Sequence, residues 1–370
     1  MAASKRVRTG QILFLVLIST VIAVVAGCGG GSGTPASPAF VALSYNGPGS
    51  VWDVDLLDGE FVITKRESLA DPVDLTVNGT YSDLVSGFKL LTVTSSAGVD
   101  GPVAGELAWA LEIPGYAFFL KPMGSDSGQI ISMVTAGECP TADFDANWVI
   151  VKKSHADDAT EVDGDYFGTF AFDSASGVAS LPGRYALAAN FADQGPDTLT
   201  GGNCANGLME VDDAVMYLTT NGGALVHTNV SNDDESSIIF ALPQKSIASM
   251  ASLDGEYAGI LFDGSMASGE EVAPLSFSCT NGICMGALIS DVVTGQIEIG
   301  DTATVDLSGS LNAPATGLIT GTVNGDGVGN LACAVDTNAL STGRKIISCV
   351  GQSPGDQTKM FNVIMVSKDT

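Results

Sequence analysis

Leu107-Ala-Trp-Ala-Leu-Glu-Ile-Pro-Gly-Tyr-Ala-Phe-Phe-Leu120 is the stretch of sequence that most clearly indicates the fold. Large apolar residues at 107, 109, 111 and 113 alternate with small or polar ones, which is the period of a β-strand with one buried face. Pro114-Gly115 interrupts the pattern before a second apolar run, residues 116–120. A break of this kind between two strand-like runs predicts a β-hairpin.

The same short alternating runs recur through the rest of the chain, and helical periodicity is nearly absent. Turn sequences that tolerate positive φ separate the runs: Asn78-Gly79, Asp163-Gly164, Asn221-Gly222-Gly223, Asp254-Gly255 and Asn324-Gly325. We therefore expect an all-β fold built from tandem antiparallel β modules. These would be either sandwiches or small barrels that resemble the lipocalin-like class.

Two matched blocks of sequence indicate an internal duplication. Asp163-Gly-Asp-Tyr166-Phe-Gly168 matches Asp254-Gly-Glu-Tyr257-Ala-Gly259, and downstream Cys204-Ala-Asn-Gly-Leu208 matches Cys279-Thr-Asn-Gly-Ile283. Apolar runs that close on a lysine suggest where each unit ends. The predicted division is a first β module at 40–155, a second at 156–250, and a third at 251–370 that repeats the second.

The first forty residues carry an export pattern. Three basic residues, Lys5, Arg6 and Arg8, precede an uncharged apolar run over 12–26 that is short for a membrane span. The run ends in Val25-Ala26-Gly27-Cys28, which resembles the lipobox of bacterial lipoproteins, and a flexible Gly/Ser/Pro tether follows it.

This resemblance implies a signal peptide at 1–27 and a tether at 28–39 that begins with a diacylated Cys28. The lipid on Cys28 would anchor the chain in the bilayer of the cell envelope. Gly29 after the cysteine implies the outer membrane of a didermal bacterium, whereas a monoderm host would make the chain a cell-surface lipoprotein. The alternative is an N-terminal membrane helix in which Cys28 is incidental.

The charge balance restricts the partners. Removing residues 1–27 leaves 12 basic and 42 acidic side chains, a formal charge of −30. A nucleic-acid partner is not expected, because such binding needs clustered Lys and Arg to displace phosphate counterions. The same charge repels anionic membrane surfaces. Solubility is the simplest explanation of the acidity, and divalent-cation binding is the second.

Six cysteines remain after the lipidated one, and an even number in an exported chain predicts disulfides. Fifteen pairings are possible for six cysteines. The sequence alone does not choose among them. We favour Cys333 with Cys349, Cys279 with Cys284, and Cys139 with Cys204.

Two kinds of weak binding site are suggested by residue type. The aromatic residues Trp109, Tyr116, Tyr166 and Tyr257 would line cavities if the modules are hollow barrels, although a tyrosine near a strand-opening glycine more often anchors the strand. Asp143, Asp145 and Asn147 imitate the opening of a calcium-binding loop. A calcium loop also has a turn glycine and a bidentate glutamate, and both are missing here. We therefore expect no cofactor, and calcium is the one metal ion considered as a candidate.

Known catalytic patterns were not found in the sequence. The two histidines, His155 and His227, are not near a Gly-x-Ser-x-Gly elbow, and no phosphate-binding loop, zinc cluster or haem motif occurs. The favoured hypothesis is a non-catalytic envelope lipoprotein that is structural or binds an envelope or extracellular protein. One alternative is a barrel that carries a small apolar ligand. The other is an envelope hydrolase that uses paired carboxylates.

Overall fold

The computed structural model describes residues 42–47, 50–66, 71–123, 131–135, 139–155, 166–187, 189–199, 204–205, 207–211, 214–228, 235–263, 271–324, 327–339, 343–353 and 355–368. Apart from one short 3₁₀ helix, their regular secondary structure is β-strand, and they belong to one compact unit, Phe40–Thr370. Cys28 and the tether lie outside the described residues. The predicted all-β fold of antiparallel modules is confirmed.

Eight antiparallel strands form an N-terminal closed barrel in which each strand pairs with the next and the last pairs with the first. Its strands are β1 (Ala42–Gly47), β2 (Ser50–Leu57), β3 (Glu60–Arg66), β4 (Leu75–Asp83), β5 (Lys89–Gly98), β6 (Leu107–Ile113), β7 (Ala117–Pro122) and β8 (Ile131–Thr135). The predicted hairpin over 107–120 is β6 and β7, which are joined by the Pro114-Gly115 turn.

A second sheet follows, and it stays open within the described residues. Its strands are β9 (Phe144–His155), β10 (Tyr166–Asp173), β11 (Val178–Ala186), β12 (Ala192–Asp193), β13 (Asp197–Thr198), β14 (Leu208–Val211), β15 (Ala214–Leu218), β16 (Ala224–Thr228) and β17 (Glu235–Pro243). They lie in the order β12-β11-β10-β9-β17-β16-β15-β14, and β13 pairs with β11.

A short 3₁₀ helix (Met250–Leu253) leads into a second closed barrel at the C-terminus. Its eight strands are β18 (Gly255–Asp263), β19 (Glu271–Thr280), β20 (Ile283–Asp291), β21 (Gln296–Leu311), β22 (Leu318–Asn324), β23 (Val328–Ala339), β24 (Arg344–Ser353) and β25 (Asp356–Ser367). The barrel closes where β25 pairs with β18.

Strand β9 belongs to the second sheet, which corrects the predicted boundary at residue 155. It pairs with β10 on one side and with β17 on the other. The prediction took the apolar run Trp148–Lys152 as the end of the first module, because a run closing on lysine also ends the other units. Hydrogen-bonding partners far along the chain decide the boundary, and the break between the sheets falls between Thr135 and Phe144.

Buried apolar side chains lie in the interiors of both barrels. The C-terminal interior contains Tyr257, Phe277 and Leu331 together with four cysteines, and the N-terminal interior contains residues such as Phe61 and Phe118. Glycines allow the larger rings to fit. A Cβ on Gly286 would lie 2.4 Å from the ring of Phe277.

A further apolar cluster, here called the shared core, lies on the outer faces of the barrels and joins all three sheets. The runs 117–120 on β7 and 363–366 on β25 are apolar on both faces, so that one face lies inside a barrel and the other enters the shared core. The ring centres of Phe119 on β7 and Phe262 on β18 are 6.0 Å apart. The main members of the shared core are Trp109, Leu111, Phe119, Val149, Phe167, Phe240, Phe262, Ile346 and Ile364.

Candidate binding surface

The four aromatic residues predicted to line ligand cavities lie in three different places. Trp109 and Tyr116 belong to the shared core, Tyr257 lies inside the C-terminal barrel, and Tyr166 is half-buried on the second sheet. The guanidinium of Arg184 lies 5.1 Å from the ring centre of Tyr166. The structure does not bring these four side chains together. The three buried ones pack against other side chains.

Tyr257 anchors the start of its barrel. Its buried hydroxyl donates a hydrogen bond to the carbonyl oxygen of Leu253, 2.6 Å away in the 3₁₀ helix. Burial, with the nearby charge of Asp254, raises the pKa of this phenol. The ring that covers Gly259 comes from Phe277, from which a Cβ on Gly259 would lie 2.9 Å away. The repeated Tyr-x-Gly pattern therefore has a packing role here.

Tyr116 takes part in a polar junction where the three sheets meet. Its hydroxyl donates to a carboxylate oxygen of Asp336 at 3.1 Å, and the Nζ of Lys245 lies 2.9 Å from each oxygen of that carboxylate. Tyr116 follows β6, Lys245 follows β17 and Asp336 lies on β23. Asp336 is fully buried. Burial and the neighbouring carboxylate raise the pKa of Tyr116, so its hydroxyl remains a donor.

The residues predicted to imitate a calcium loop do not form a ligand cluster. Asp145 and Asn147 lie on the extended strand β9, where Asp145 is exposed and Asn147 is buried. The carboxylate of Asp143 accepts hydrogen bonds from the backbone and the hydroxyl of Ser174. The Asn147 amide donates to the carbonyl oxygen of Thr316. A strand separates oxygens that a calcium loop would bring together, so the calcium prediction is wrong in its geometry.

All six predicted cysteines are joined as disulfides in the favoured pairs. Cys279–Cys284 and Cys333–Cys349 connect directly opposed residues on neighbouring strands inside the C-terminal barrel. Cys139–Cys204 closes a much longer loop, with a sequence separation of 65. This third bond ties the segment before β9 to the segment before β14. None of these sulfurs is available as a metal ligand.

An exposed apolar stripe lies on the solvent side of the C-terminal barrel. It consists of Ile283 and Met285 on β20 and Ile297 and Ile299 on β21. Met285 is 59% exposed and Ile299 is 100% exposed. Cys284, between the first two, points into the barrel. The outward residues of the neighbouring strand β19 include Ser276, Ser278 and Thr280, so the stripe interrupts a polar surface.

A bulge in β21 presents Ile299. Ala287 lies opposite Thr302, whereas Ile289 lies opposite Ile297. Residues 298–301 of β21 therefore lie opposite the single residue 288 of β20 and form the bulge. Bulges re-aim side chains, and this one turns Ile299 fully towards solvent. The side chain of Ile289 is buried in the shared core. The stripe therefore begins where the shared core ends.

The stripe continues towards the N-terminal barrel. The hydroxyl of Ser86, in the β4–β5 turn, donates a 2.7 Å hydrogen bond to the carbonyl oxygen of Val292 in the β20–β21 turn. Val85 and Val293, the chain neighbours of these two residues, are both exposed. Exposed apolar residues therefore stand next to this hydrogen bond on both barrels.

Carboxylates flank the stripe, and basic residues are missing from its strands. Asp306 lies directly opposite Ile283, Glu298 lies between the two isoleucines of β21, and Asp291 begins the turn. Hydrogen bonds from Thr294 and from the Val293 amide lower the pKa of Asp291, which keeps it ionised. No Lys, Arg or His occurs between Lys245 and Arg344, a segment with 11 acidic residues.

No protein-family model matches the chain, and no curated protein matches it in sequence. Solved structures with some likeness are a variant of transferrin binding protein B from Haemophilus parasuis (10% identity, TM-score 0.16) and isotype 1 transferrin binding protein B from serogroup B Neisseria meningitidis (12% identity, TM-score 0.18). The matches cover 86% and 87% of this chain, and 65% of each of those chains. TM-scores this low give no basis for transferring a fold or a function.

No helix among the described residues is long and apolar enough to span a bilayer. The apolar run over 12–26 lies outside those residues.

Sequence reasoning missed the junction and the stripe. Asp336 and Lys245 are 91 positions apart, and nothing in their local sequence marks them as partners. The stripe had a visible signal, because Ile283-Cys284-Met285 puts large apolar residues on both sides of a cysteine that was expected in a disulfide. If Cys284 faces the interior, its two neighbours must face outward.

Proposed function

We propose that this chain is a lipid-anchored protein of the bacterial cell envelope whose β body binds another envelope or extracellular protein through the apolar stripe. The export pattern ending in Cys28 supports the anchor, and three disulfides agree with an oxidising compartment. The observation that carries the binding role is the stripe itself. Large apolar side chains grouped on a solvent-facing surface mark interaction sites.

The large side chains that the structure describes inside the barrels favour binding at the surface over carriage of an apolar ligand inside. A carrier needs an internal cavity of several hundred cubic ångströms. Tyr257, Phe277 and the two internal disulfides occupy the C-terminal interior, and Phe61 and Phe118 occupy the N-terminal one.

The buried acids give little support to the hydrolase alternative. A glycosidase needs two carboxylates on either side of a cleft. Among the residues that the structure describes, Asp336 is the one fully buried carboxylate, and Lys245 and Tyr116 already bind it.

The anchor is tested by comparing the full chain with Cys28→Ser in a didermal bacterial host. We expect the unaltered chain to partition with the membrane fraction and its N-terminal peptide to begin at Cys28 with added acyl mass. The Cys28→Ser chain is expected to lose both properties. Equal membrane retention of the two chains, with residues 1–27 still attached, would support the membrane-helix alternative.

The binding role is tested by a photo-crosslinking amino acid placed at Met285 in cells of the chain's own host. A matched control carries the same group at Val99, an exposed valine on the N-terminal barrel. We expect a discrete crosslinked protein from position 285 and none from position 99. The same products from both positions, or none from 285, would contradict a binding role for the stripe.

A further inference from the structure

We propose that the Cys139–Cys204 disulfide is a site of thiol–disulfide exchange, at which an external thiol bonds to Cys204 and releases one edge of the second sheet. The reacting partner is a thiolate, carried by a small thiol or by the reactive cysteine of a dithiol oxidoreductase. This inference does not depend on the apolar stripe. Three observations lead to it: the exposure of the bond, a hydrogen bond to one of its sulfurs, and its place in the sheet.

Exposure separates this bond from the other two disulfides. Cys139 and Cys204 are both half-buried. The four cysteines of the C-terminal barrel are at most 2% exposed, and they lie among apolar side chains. Exchange requires a thiolate to reach one of the two bonded sulfurs. The barrel disulfides can therefore react only when the barrel opens, whereas the Cys139–Cys204 bond can react in the folded chain.

A hydrogen bond to Cys139 determines the direction of the exchange. The backbone N–H of Gly207 donates to the Sγ of Cys139 at 3.3 Å. A donor in this position stabilises negative charge on the sulfur, and the sulfur that holds negative charge more easily leaves faster. We therefore place the attack on Cys204 and the departing thiolate on Cys139.

Two external thiols supply the electrons for the full reaction. The first thiolate forms an S–S bond to the Sγ of Cys204, the bond to Cys139 breaks, and Cys139 leaves with the electron pair. The second thiolate attacks the external sulfur of this mixed disulfide and releases Cys204 as a thiolate. The protein disulfide is thereby reduced, and the two external thiols are oxidised to a disulfide.

The topology gives the exchange a structural consequence. Cys204 lies between β13 and β14, which are at opposite edges of the second sheet, and Cys139 precedes the central strand β9. The bond therefore fastens the chain where it crosses from one edge to the other.

Cys204 also packs against the apolar cluster of this sheet that includes Trp148 and Met209. A thiol adduct on Cys204 adds bulk at this contact and should displace the crossing chain from the cluster. Among the strands that the structure describes, β14 pairs only with β15. We therefore expect β14 to loosen when the bond to Cys139 is broken.

The test uses the mature chain carrying Cys28→Ser, in which the remaining cysteines are all paired. Reduced glutathione is added under native conditions, free thiols are blocked with iodoacetamide at successive times, and the peptides are identified by mass spectrometry. We expect glutathione on Cys204 and the blocking group on Cys139. The rate should exceed that of every barrel cysteine by at least about tenfold, because a buried bond reacts only through opening of the fold.

Three results of this experiment would overturn the proposal. The Cys139–Cys204 bond could stay intact, all three disulfides could react at equal rates, or glutathione could be found mainly on Cys139. The first two would show that the bond is not selectively reached in the folded chain. The third would show that the Gly207 amide does not direct the exchange.

A second arm distinguishes the two sources of the thiol. A Cys-x-x-Cys oxidoreductase whose resolving cysteine is replaced by serine keeps its mixed disulfide, which non-reducing electrophoresis detects. A faster reaction than that of glutathione at equal thiol concentration would identify a protein thiol as the better partner, and a slower one would identify a small thiol. Failure of both reagents to react at Cys204 would overturn the proposal.

Hydrogen exchange measures the structural consequence. Breaking the Cys139–Cys204 bond is expected to speed amide exchange over 208–218 by about tenfold or more, while the strands of the C-terminal barrel keep their rates. The matched control replaces both cysteines by serine, so it should exchange like the reduced chain and show no further change with glutathione. Unchanged exchange over 208–218 after reduction would overturn the proposed release of the sheet edge.

Discussion

Lys245 and Asp336 form an ion pair in which the lysine Nζ lies 2.9 Å from both carboxylate oxygens. The lysine comes directly after the second sheet, and the aspartate is on the third strand from the end of the C-terminal barrel. With Tyr116 from the N-terminal barrel as a third member, the pair connects all three sheets at a point where Asp336 is fully buried and Lys245 is partly exposed. A charge in such a place costs stability whenever its partner is removed.

Lys245→Met is expected to lower the free energy of unfolding by about 2 to 3 kcal/mol, because it leaves a buried carboxylate without its counter-charge. The loss is moderate because the hydroxyl of Tyr116 and the backbone N–H of Asn338 still donate to Asp336. Urea unfolding measures the change. The control is Lys245→Met with Asp336→Leu, which removes both charges and should recover much of the loss. A single variant as stable as the parent would contradict the importance of the pair.

Stability is expected to fall at alkaline pH because of Tyr116 and Tyr257. Burial raises the pKa of both phenols above the ordinary value of 10.0. Their contribution is fully present below pH 10 and is lost above it, because the unfolded chain releases these protons first. Each phenol adds a slope of about 1.4 kcal/mol per pH unit.

Urea unfolding across this pH range tests the effect in a Cys28→Ser background, which has no free thiol to exchange with the disulfides. Tyr116→Phe should unfold with a shallower pH dependence than the parent, although it is less stable at pH 7 by about 1 kcal/mol. An unchanged slope would show that Tyr116 ionises normally.

Removing the Cys139–Cys204 disulfide with a double serine substitution is expected to lower the free energy of unfolding by about 4 kcal/mol. A bond that closes a long loop restricts the unfolded chain most, and the separation here is 65 residues. The double alanine variant at Cys279 and Cys284, separated by 5 residues, should lose less through this effect. Non-reducing peptide mass spectrometry confirms the remaining pairs, and a larger loss from the short loop would contradict the ranking.

Gly286→Ala is expected to destabilise the C-terminal barrel by about 1 to 3 kcal/mol, because the added methyl group would overlap the ring of Phe277. Thermal unfolding measures the effect. The double variant Gly286→Ala with Phe277→Leu provides the control, since the smaller side chain leaves room for the methyl group. If the double variant is no more stable than expected from the sum of the two changes, the two sites do not interact.

Local sequence predicted the strands well because β periodicity and turn residues are local properties. The hairpin over 107–120 follows from a short-range pattern, and cysteine parity predicts disulfides without choosing their pairs. The end of the first module was not predicted correctly, because β9 pairs with β10 and β17 rather than with the strands that precede it. The ion pair between Lys245 and Asp336 could not be predicted either, since a contact between distant segments produces no periodic pattern in the sequence.

The continuous apolar runs on β7 and β25 indicate that both faces of these strands are buried, which the alternation pattern of a strand with one buried face does not show. Ala117-Phe-Phe-Leu120 and Val363-Ile-Met-Val366 have no polar face, which predicts burial on both sides. The structure places one side of each run in a barrel and the other in the shared core.

The shared core also sets an order of events during synthesis. The N-terminal barrel leaves the ribosome first, and its outer face bears Trp109, Leu111 and Phe119, whose partners include Phe262 and residues of the final strand. Until the C-terminal barrel has been made, the part of this face that packs on Phe262 is uncovered and prone to aggregation. The chain must therefore be kept from collapsing or associating until its C-terminus is available, so shortening it at that end would expose the first barrel to proteases and aggregation.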